Sequence, residues 1–130
     1  MDYKELANKA IEAKSKALPT YSKFHVGAAL LTKDDKVYQA GNIETSSYSL
    51  TLCAERTALF KAISEGEREF KALAIASDDP GFCPPCGACR QVMNDLCGNI
   101  DLILINHENE IKQIKLLDLF PFPFGDENLK

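Results

Sequence analysis

The chain has 130 residues, 45% of them apolar and 26% charged, which is the size and composition of one ordinary soluble domain and unlike a disordered or fibrous chain. Acidic residues exceed basic ones, giving a net charge of -4, and no cluster of Lys and Arg interleaves with aromatics, so a nucleic-acid partner is not expected. The start MDYKELANKA lacks a positive region followed by an apolar stretch, and no run approaches the roughly 18 apolar residues of a membrane span; a single domain over residues 1–130, cytoplasmic and without a membrane partner, is the expectation.

Tyr3, Leu6, Ala7, Ala10, Ile11 and Lys14 recur at helical spacing, predicting an amphipathic helix over 3–17 that Pro19 ends. Phe24 to Leu31 is small and apolar, Lys33-Asp34-Asp35-Lys36 makes a polar turn, and Val37 to Asn42 returns, which reads as a hairpin. A Ser-rich loop at 45–49 leads into CAERTALFKAISEG, a helix stopped by Gly66. Phe70 to Ala76 is a short strand broken by Asp78-Asp79-Pro80-Gly81.

Pro84-Pro85 then introduces a second helix, GACRQVMNDL. Ile100 to Ile105 and Glu110 to Lys115 flank His107-Glu108-Asn109 as a further strand pair, and a helical turn precedes the prolines of the tail. This alternation predicts an α/β fold of three layers, α/β/α, with a mixed sheet of about five strands and helices on both faces.

Five cysteines without a secretory signal, three of them between positions 83 and 89, favour metal binding or catalysis over disulfides. Cys86 and Cys89 form a C-x-x-C pair at one predicted helix entrance, and Cys53 stands at the entrance of another, where free N–H groups and the helix dipole stabilise thiolates. Three thiolates from two helix N-termini can hold one Zn²⁺ per chain and leave the fourth tetrahedral position for water. Glu55, two residues after Cys53, is placed to move protons without binding the metal. A structural zinc on Cys83, Cys86, Cys89 and Cys97 is the alternative, although it leaves Cys53-Ala54-Glu55 without a purpose.

Cys83 is either a half-buried loop thiol that binds nothing or a regulatory one, and Cys97 reads as core. His25 and His107 have no partner at metal-ligand spacing and read as structural or solvated. Arg90 is either a second charge-compensating group or a surface salt-bridge partner.

Zinc deaminases carry a Cys or His, a Glu two residues on, and a later P-C-x-x-C. Here the pattern is Cys53-Ala54-Glu55 with Pro85-Cys86-Gly87-Ala88-Cys89, accompanied by Tyr21-Ser22-Lys23-Phe24, Val26-Gly27-Ala28-Ala29, Gly41-Asn42-Ile43-Glu44, and Arg56-Thr57-Ala58. Over nearly its whole length the chain resembles the short, homotetrameric, zinc-dependent cytidine deaminases. The resemblance implies hydrolytic deamination of cytidine and 2′-deoxycytidine to uridine and 2′-deoxyuridine with release of ammonia, a pyrimidine-salvage reaction in which zinc-bound hydroxide attacks C4 and Glu55 shuttles protons.

It further implies that Arg56 hydrogen-bonds the thiolates of Cys53 and Cys86, that Asn42 and Glu44 hold the ribose 3′-OH, and that Phe24 and Ala54 lie at the substrate. Tyr48 and Phe124 match positions that reach the substrate across subunits of the homotetramer, though Phe122-Pro123 replaces the usual small residues before the last aromatic. A carboxylate at Glu44 would repel a 3′-phosphate, which favours a free nucleoside over a polymer. Deamination of a nucleoside analogue or other cytosine substrate, and a non-catalytic zinc-stabilised module, are the competing readings.

Overall fold

Alternation along three central strands sends side chains to two opposite cores, and this sets the layering. In the computed structural model, which describes residues 1–129, the elements are α1 (Tyr3–Ala13), β1 (Val26–Thr32), β2 (Val37–Gly41), α2 (Ala54–Ser64), β3 (Phe70–Ser77), α3 (Gly87–Cys97), β4 (Asp101–Ile105), β5 (Ile111–Lys115) and α4 (Leu116–Leu119). The sheet order is β2-β1-β3-β4-β5. Only β3 and β4 pair in parallel; the other neighbours are antiparallel.

Ala29 and Leu31 of β1, Ala72, Ala74 and Ala76 of β3, and Ile103 and Ile105 of β4 face α1 through Leu6, Ala7 and Ala10. Their sequence neighbours Ala28, Leu30, Leu73, Ile75, Leu102 and Leu104 face the opposite core, shared with Ala58, Leu59 and Ala62 of α2 and Met93 of α3. The three-layer arrangement and the mixed five-stranded sheet are therefore as expected. Alanines dominate the α1 side of the sheet, so α1 sits close to it. A Cβ on Gly27 would collide with the backbone of Ala10 and Lys14.

Three boundaries differ from the expectation. The first helix ends at Ala13, and Lys14–Lys16 is a single 3₁₀ turn. The Ser-rich loop contains another, Tyr48–Leu50. Cys97 closes α3 at the margin of the core, half-buried, where burial pushes its thiol up to about 12. Gly66 has φ of 103°, the left-handed geometry expected of a helix stop.

The sheet topology also locates the site. Because β1 is antiparallel to both β2 and β3, those two strands finish at the same end of the sheet. α2 follows β2, and α3 follows β3. Both helices accordingly start at that end, with their N-termini facing the same opening. Among the described residues no helix is long and apolar enough to cross a membrane.

Gly27→Ala is expected to destabilise the fold by about 2 kcal/mol or more, since the obstructing atoms are backbone. Gly87→Ala, whose Cβ meets nothing within 4 Å, is expected to stay within about 0.5 kcal/mol of the parent. Urea unfolding of the two variants checks the contrast.

Candidate metal and substrate site

Cys53 and Cys86 are the N-caps of α2 and α3, both in extended backbone conformation and neither spending its side chain on a capping hydrogen bond. Cys89 lies in the first turn of α3 and is fully buried. The sulfurs of Cys53 and Cys86 are 3.7 Å apart, and all three sulfurs lie within 4.8 Å of one another. Zinc–thiolate bonds of about 2.3 Å at tetrahedral angles put sulfurs about 3.8 Å apart. The donor set fits one zinc ion in chemistry and in spacing, with a fourth position to spare.

The electrostatics suit anionic sulfur. A hydrogen bond from the Cys89 thiol, helped by Arg56 and the Cys86 thiol and opposed by burial, lowers Cys53 to about 5. Cys89 is pushed far up, first because it donates that bond and then by burial. Nη2 of Arg56 donates to Sγ of Cys53 at 3.6 Å. Its Nε is buried without a partner, and three thiolates around a metal would supply the negative charge that such a donor needs. Of the two thiolate contacts implied for Arg56, the one to Cys53 is formed; none to Cys86 occurs among the described residues.

Glu55 follows in the first turn of α2, 5% exposed, yet it stays outside the sulfur cluster. Burial, reinforced by the nearby Cys53 thiolate, raises its carboxyl to about 7. A carboxyl titrating near neutrality can both take and give a proton.

A cavity of about 250 Å³ opens over these groups. Cys53, Ala54, Glu55 and Cys86 line one part, Asn42 and Glu44 another, and Val26, Ile75, Cys83 and Pro84 complete the wall. Asn42 is held by both ends of its amide: Oδ1 accepts from the Val26 N–H at 2.9 Å, and Nδ2 donates to the Phe24 carbonyl at 2.9 Å. Glu44 accepts from the N–H groups of Tyr21 (2.9 Å) and Ser22 (2.8 Å) and from the Ser22 hydroxyl (2.5 Å).

The aromatic candidates stand apart from this cavity. Phe24 is tied to it through its backbone carbonyl, while its ring is partly exposed. Tyr48 is 71% exposed and packs edge-on against Tyr21 at 5.7 Å, in a neighbouring cavity of about 240 Å³ that shares Glu44 and Thr51 with the first. Phe124 is 55% exposed, and its carbonyl accepts from Gln91 Nε2 of α3 at 2.8 Å.

Arg90 takes neither role considered for it. Its Nε donates to the Pro85 carbonyl at 2.8 Å and its Nη1 to the Leu119 carbonyl at 2.6 Å, so it fastens the loop before α3 to the end of α4. His25 pairs with Asp78 at 2.7 Å, and the His107 ring meets the Pro80 carbonyl; neither belongs to the sulfur cluster. Cys83 turns out to be a cavity-lining thiol, raised by burial and hence neutral. Thr51, Leu52 and Ile75 carried no signal in the sequence beyond apolarity or loop composition, and Val26 appeared only within the motif Val26-Gly27-Ala28-Ala29. Ser22 stood in the sequence only as part of the motif Tyr21-Ser22-Lys23-Phe24, with no role attached to its side chain.

The family model described as "Cytidine and deoxycytidylate deaminase zinc-binding region" matches residues 1–104. A cytidine deaminase of Sporosarcina psychrophila is 47% identical over 130 residues, covering 99% of this chain and 96% of the relative. A cytidine deaminase of Halalkalibacterium halodurans is 48% identical over 130 residues, with 99% and 98% covered. The crystal structure of cytidine deaminase from Burkholderia pseudomallei superposes with a TM-score of 0.91 at 43% identity, covering 95% of this chain and 100% of that one.

Cys89→Ala is expected to reduce zinc content from about one per chain to a small fraction of that, because two thiolates do not retain the ion that three hold. Glu55→Gln removes no sulfur and should keep the full complement. Metal analysis after gel filtration distinguishes the two.

Proposed function

The chain belongs to the cytidine and deoxycytidylate deaminase zinc-binding family, and on that footing we propose that it converts cytidine and 2′-deoxycytidine to uridine and 2′-deoxyuridine, releasing ammonia, in pyrimidine salvage. The observation that carries this reading is a buried carboxyl, Glu55, in one cavity with two of the three clustered thiols and with Asn42 and Glu44.

Zinc held by Cys53, Cys86 and Cys89 would supply Lewis acidity that makes the attacking water easier to deprotonate. Three thiolates make the ion a weaker acid than three imidazoles would, which leaves more of the proton work to Glu55. Its carboxylate takes the proton of the attacking water and delivers it to N3, so that C4 becomes electrophilic. The same group later carries a proton to the departing amine.

Arg56 offsets the charge of a cluster that carries about -1 when a divalent ion meets three thiolates. Asn42, fixed by two backbone partners, and Glu44, fixed by three donors, receive the ribose 3′-OH. Ala54 contacts the base from the start of α2, and Phe24 packs beside it. A 3′-phosphate would meet the Glu44 carboxylate directly, so free nucleosides are substrates and polynucleotides are not. The net charge of -4 disfavours polyanions in the same direction.

Tyr48 and Phe124, exposed in the single chain, reach neighbouring substrate sites in a homotetramer. The assembly works in the cytoplasm as one domain per chain over 1–130.

The experiment follows the loss of cytidine absorbance with wild type and Glu55→Gln in parallel, zinc being quantified in both. The wild type should turn over and the variant lose about a thousandfold or more in rate with its zinc intact. Absence of turnover in zinc-loaded wild type overturns the reading. Rates on 3′-phosphorylated cytidine or an oligonucleotide matching those on cytidine would remove the role given to Glu44.

A further inference from the structure

We propose that Ser22 is a positioning residue for nucleoside recognition: its hydroxyl fixes the Glu44 carboxylate in the orientation that accepts the sugar. The inference rests on the role given above to Glu44 and names the residue through which that role is set.

The segment before β1 is shaped to do this. Ser22 Oγ accepts the Phe24 N–H at 3.0 Å, a local turn in which Lys23 takes the left-handed φ of 61°. A serine hydroxyl has a single proton, and with one lone pair occupied by Phe24 that proton goes to Glu44 Oε2, at 2.5 Å. The other oxygen, Oε1, takes the N–H groups of Tyr21 and Ser22. Asn42 Nδ2 lies 3.5 Å from Oε2, too long to be a strong bond.

The two carboxylate oxygens are therefore held differently. Oε1 is tied to backbone and would remain so in any Ser22 variant that keeps the turn. Oε2 depends on one side chain. A carboxylate offers about four acceptor positions, and with two taken on Oε1 and one taken by Ser22 the vacant direction on Oε2 is defined. Without the hydroxyl the planar carboxylate is anchored through Oε1 alone and can swing about that atom, so a sugar hydroxyl must order the whole group on binding. The Glu44 carboxyl is held below its ordinary value first by this hydroxyl and next by the Ser22 N–H, consistent with Ser22 as its strongest partner.

Ser22 also joins two parts of the site. Its Oγ holds Phe24 by the N–H, while Asn42 Nδ2 holds the same residue by its carbonyl. Ser22, Phe24, Asn42 and Glu44 thus form one hydrogen-bonded unit spanning the proposed sugar and base contacts. A contact of this kind is made equally in the bound ground state and the transition state, so its removal appears in KM and not in kcat.

The test compares wild type, Ser22→Ala and Ser22→Thr on cytidine and on 3′-deoxycytidine, which lacks the hydroxyl that Glu44 receives. Ser22→Ala also frees the Phe24 N–H, so it is expected to raise KM for cytidine about fivefold, with kcat near wild type, and KM for 3′-deoxycytidine by a clearly smaller factor of about two. Ser22→Thr, which restores the hydroxyl, is expected to recover most of the cytidine KM. Equal losses on both nucleosides would make Ser22 merely structural and overturn the proposal, as would an unchanged cytidine KM in the alanine variant. If wild type turns over 3′-deoxycytidine as well as cytidine, the role of Glu44 itself fails and this proposal falls with it; absence of turnover of either would strike the deaminase reading first.

Discussion

Convergence of two helix N-termini on one end of the sheet is the constraint on which everything else depends. β2 and β3 flank β1 antiparallel to it and so end together, and the helices that follow them begin together. The caps of those helices are cysteines, and a cap residue lies in extended conformation with its side chain free to leave the helix. The sulfur of Cys53 is thereby brought to within 4.8 Å of those of Cys86 and Cys89, more than thirty positions away in the chain, with the positive ends of two helix dipoles beside them.

Concentrated negative charge follows from that convergence, and the surrounding residues answer it. Arg56 sits one turn into α2, where the cap and the first-turn side chains share a face, and its guanidinium reaches Cys53. Glu55 is its neighbour in sequence but is turned into the cavity and buried, so loss of solvent, together with the charge of the Cys53 thiolate, disfavours a second anion there. Adjacent residues on one helix turn thus have opposite electrostatic fates. Helix geometry separates them by about 100° and sends one towards sulfur and the other towards the cavity.

The opposite part of the cavity is built differently. Asn42 and Glu44 follow β2 on either side of Ile43, whose isolated bridges to Leu18 and Leu52 hold the backbone but leave the two side chains to be oriented separately. Their orientation comes instead from hydrogen bonds with the segment before β1: Phe24 and Val26 hold Asn42, while Tyr21 and Ser22 hold Glu44. Polar groups anchored on both sides in this way are rigid without being buried in apolar surroundings. Arg90 does comparable work behind the metal cluster, tying the entrance of α3 to α4 through backbone carbonyls.

The sequence by itself determined the element order and picked out the three clustered thiols and the carboxyl beside them, because these are encoded locally: two-residue periodicity in the strands, helical periodicity in α2 and α3, and thiols at fixed offsets from helix starts. It reached the resemblance for the same reason, since Cys53-Ala54-Glu55 and Pro85-Cys86-Gly87-Ala88-Cys89 are contiguous motifs. Tertiary structure alone decided that Arg90 grips two carbonyls, that Arg56 meets Cys53 and not Cys86, that Cys83 lines the cavity, and that Ser22 holds Glu44 from twenty-two positions away. Each of those depends on where separate segments meet in space. A donor's type can be read from one residue, whereas its acceptor is fixed only when the sheet has brought the two segments together.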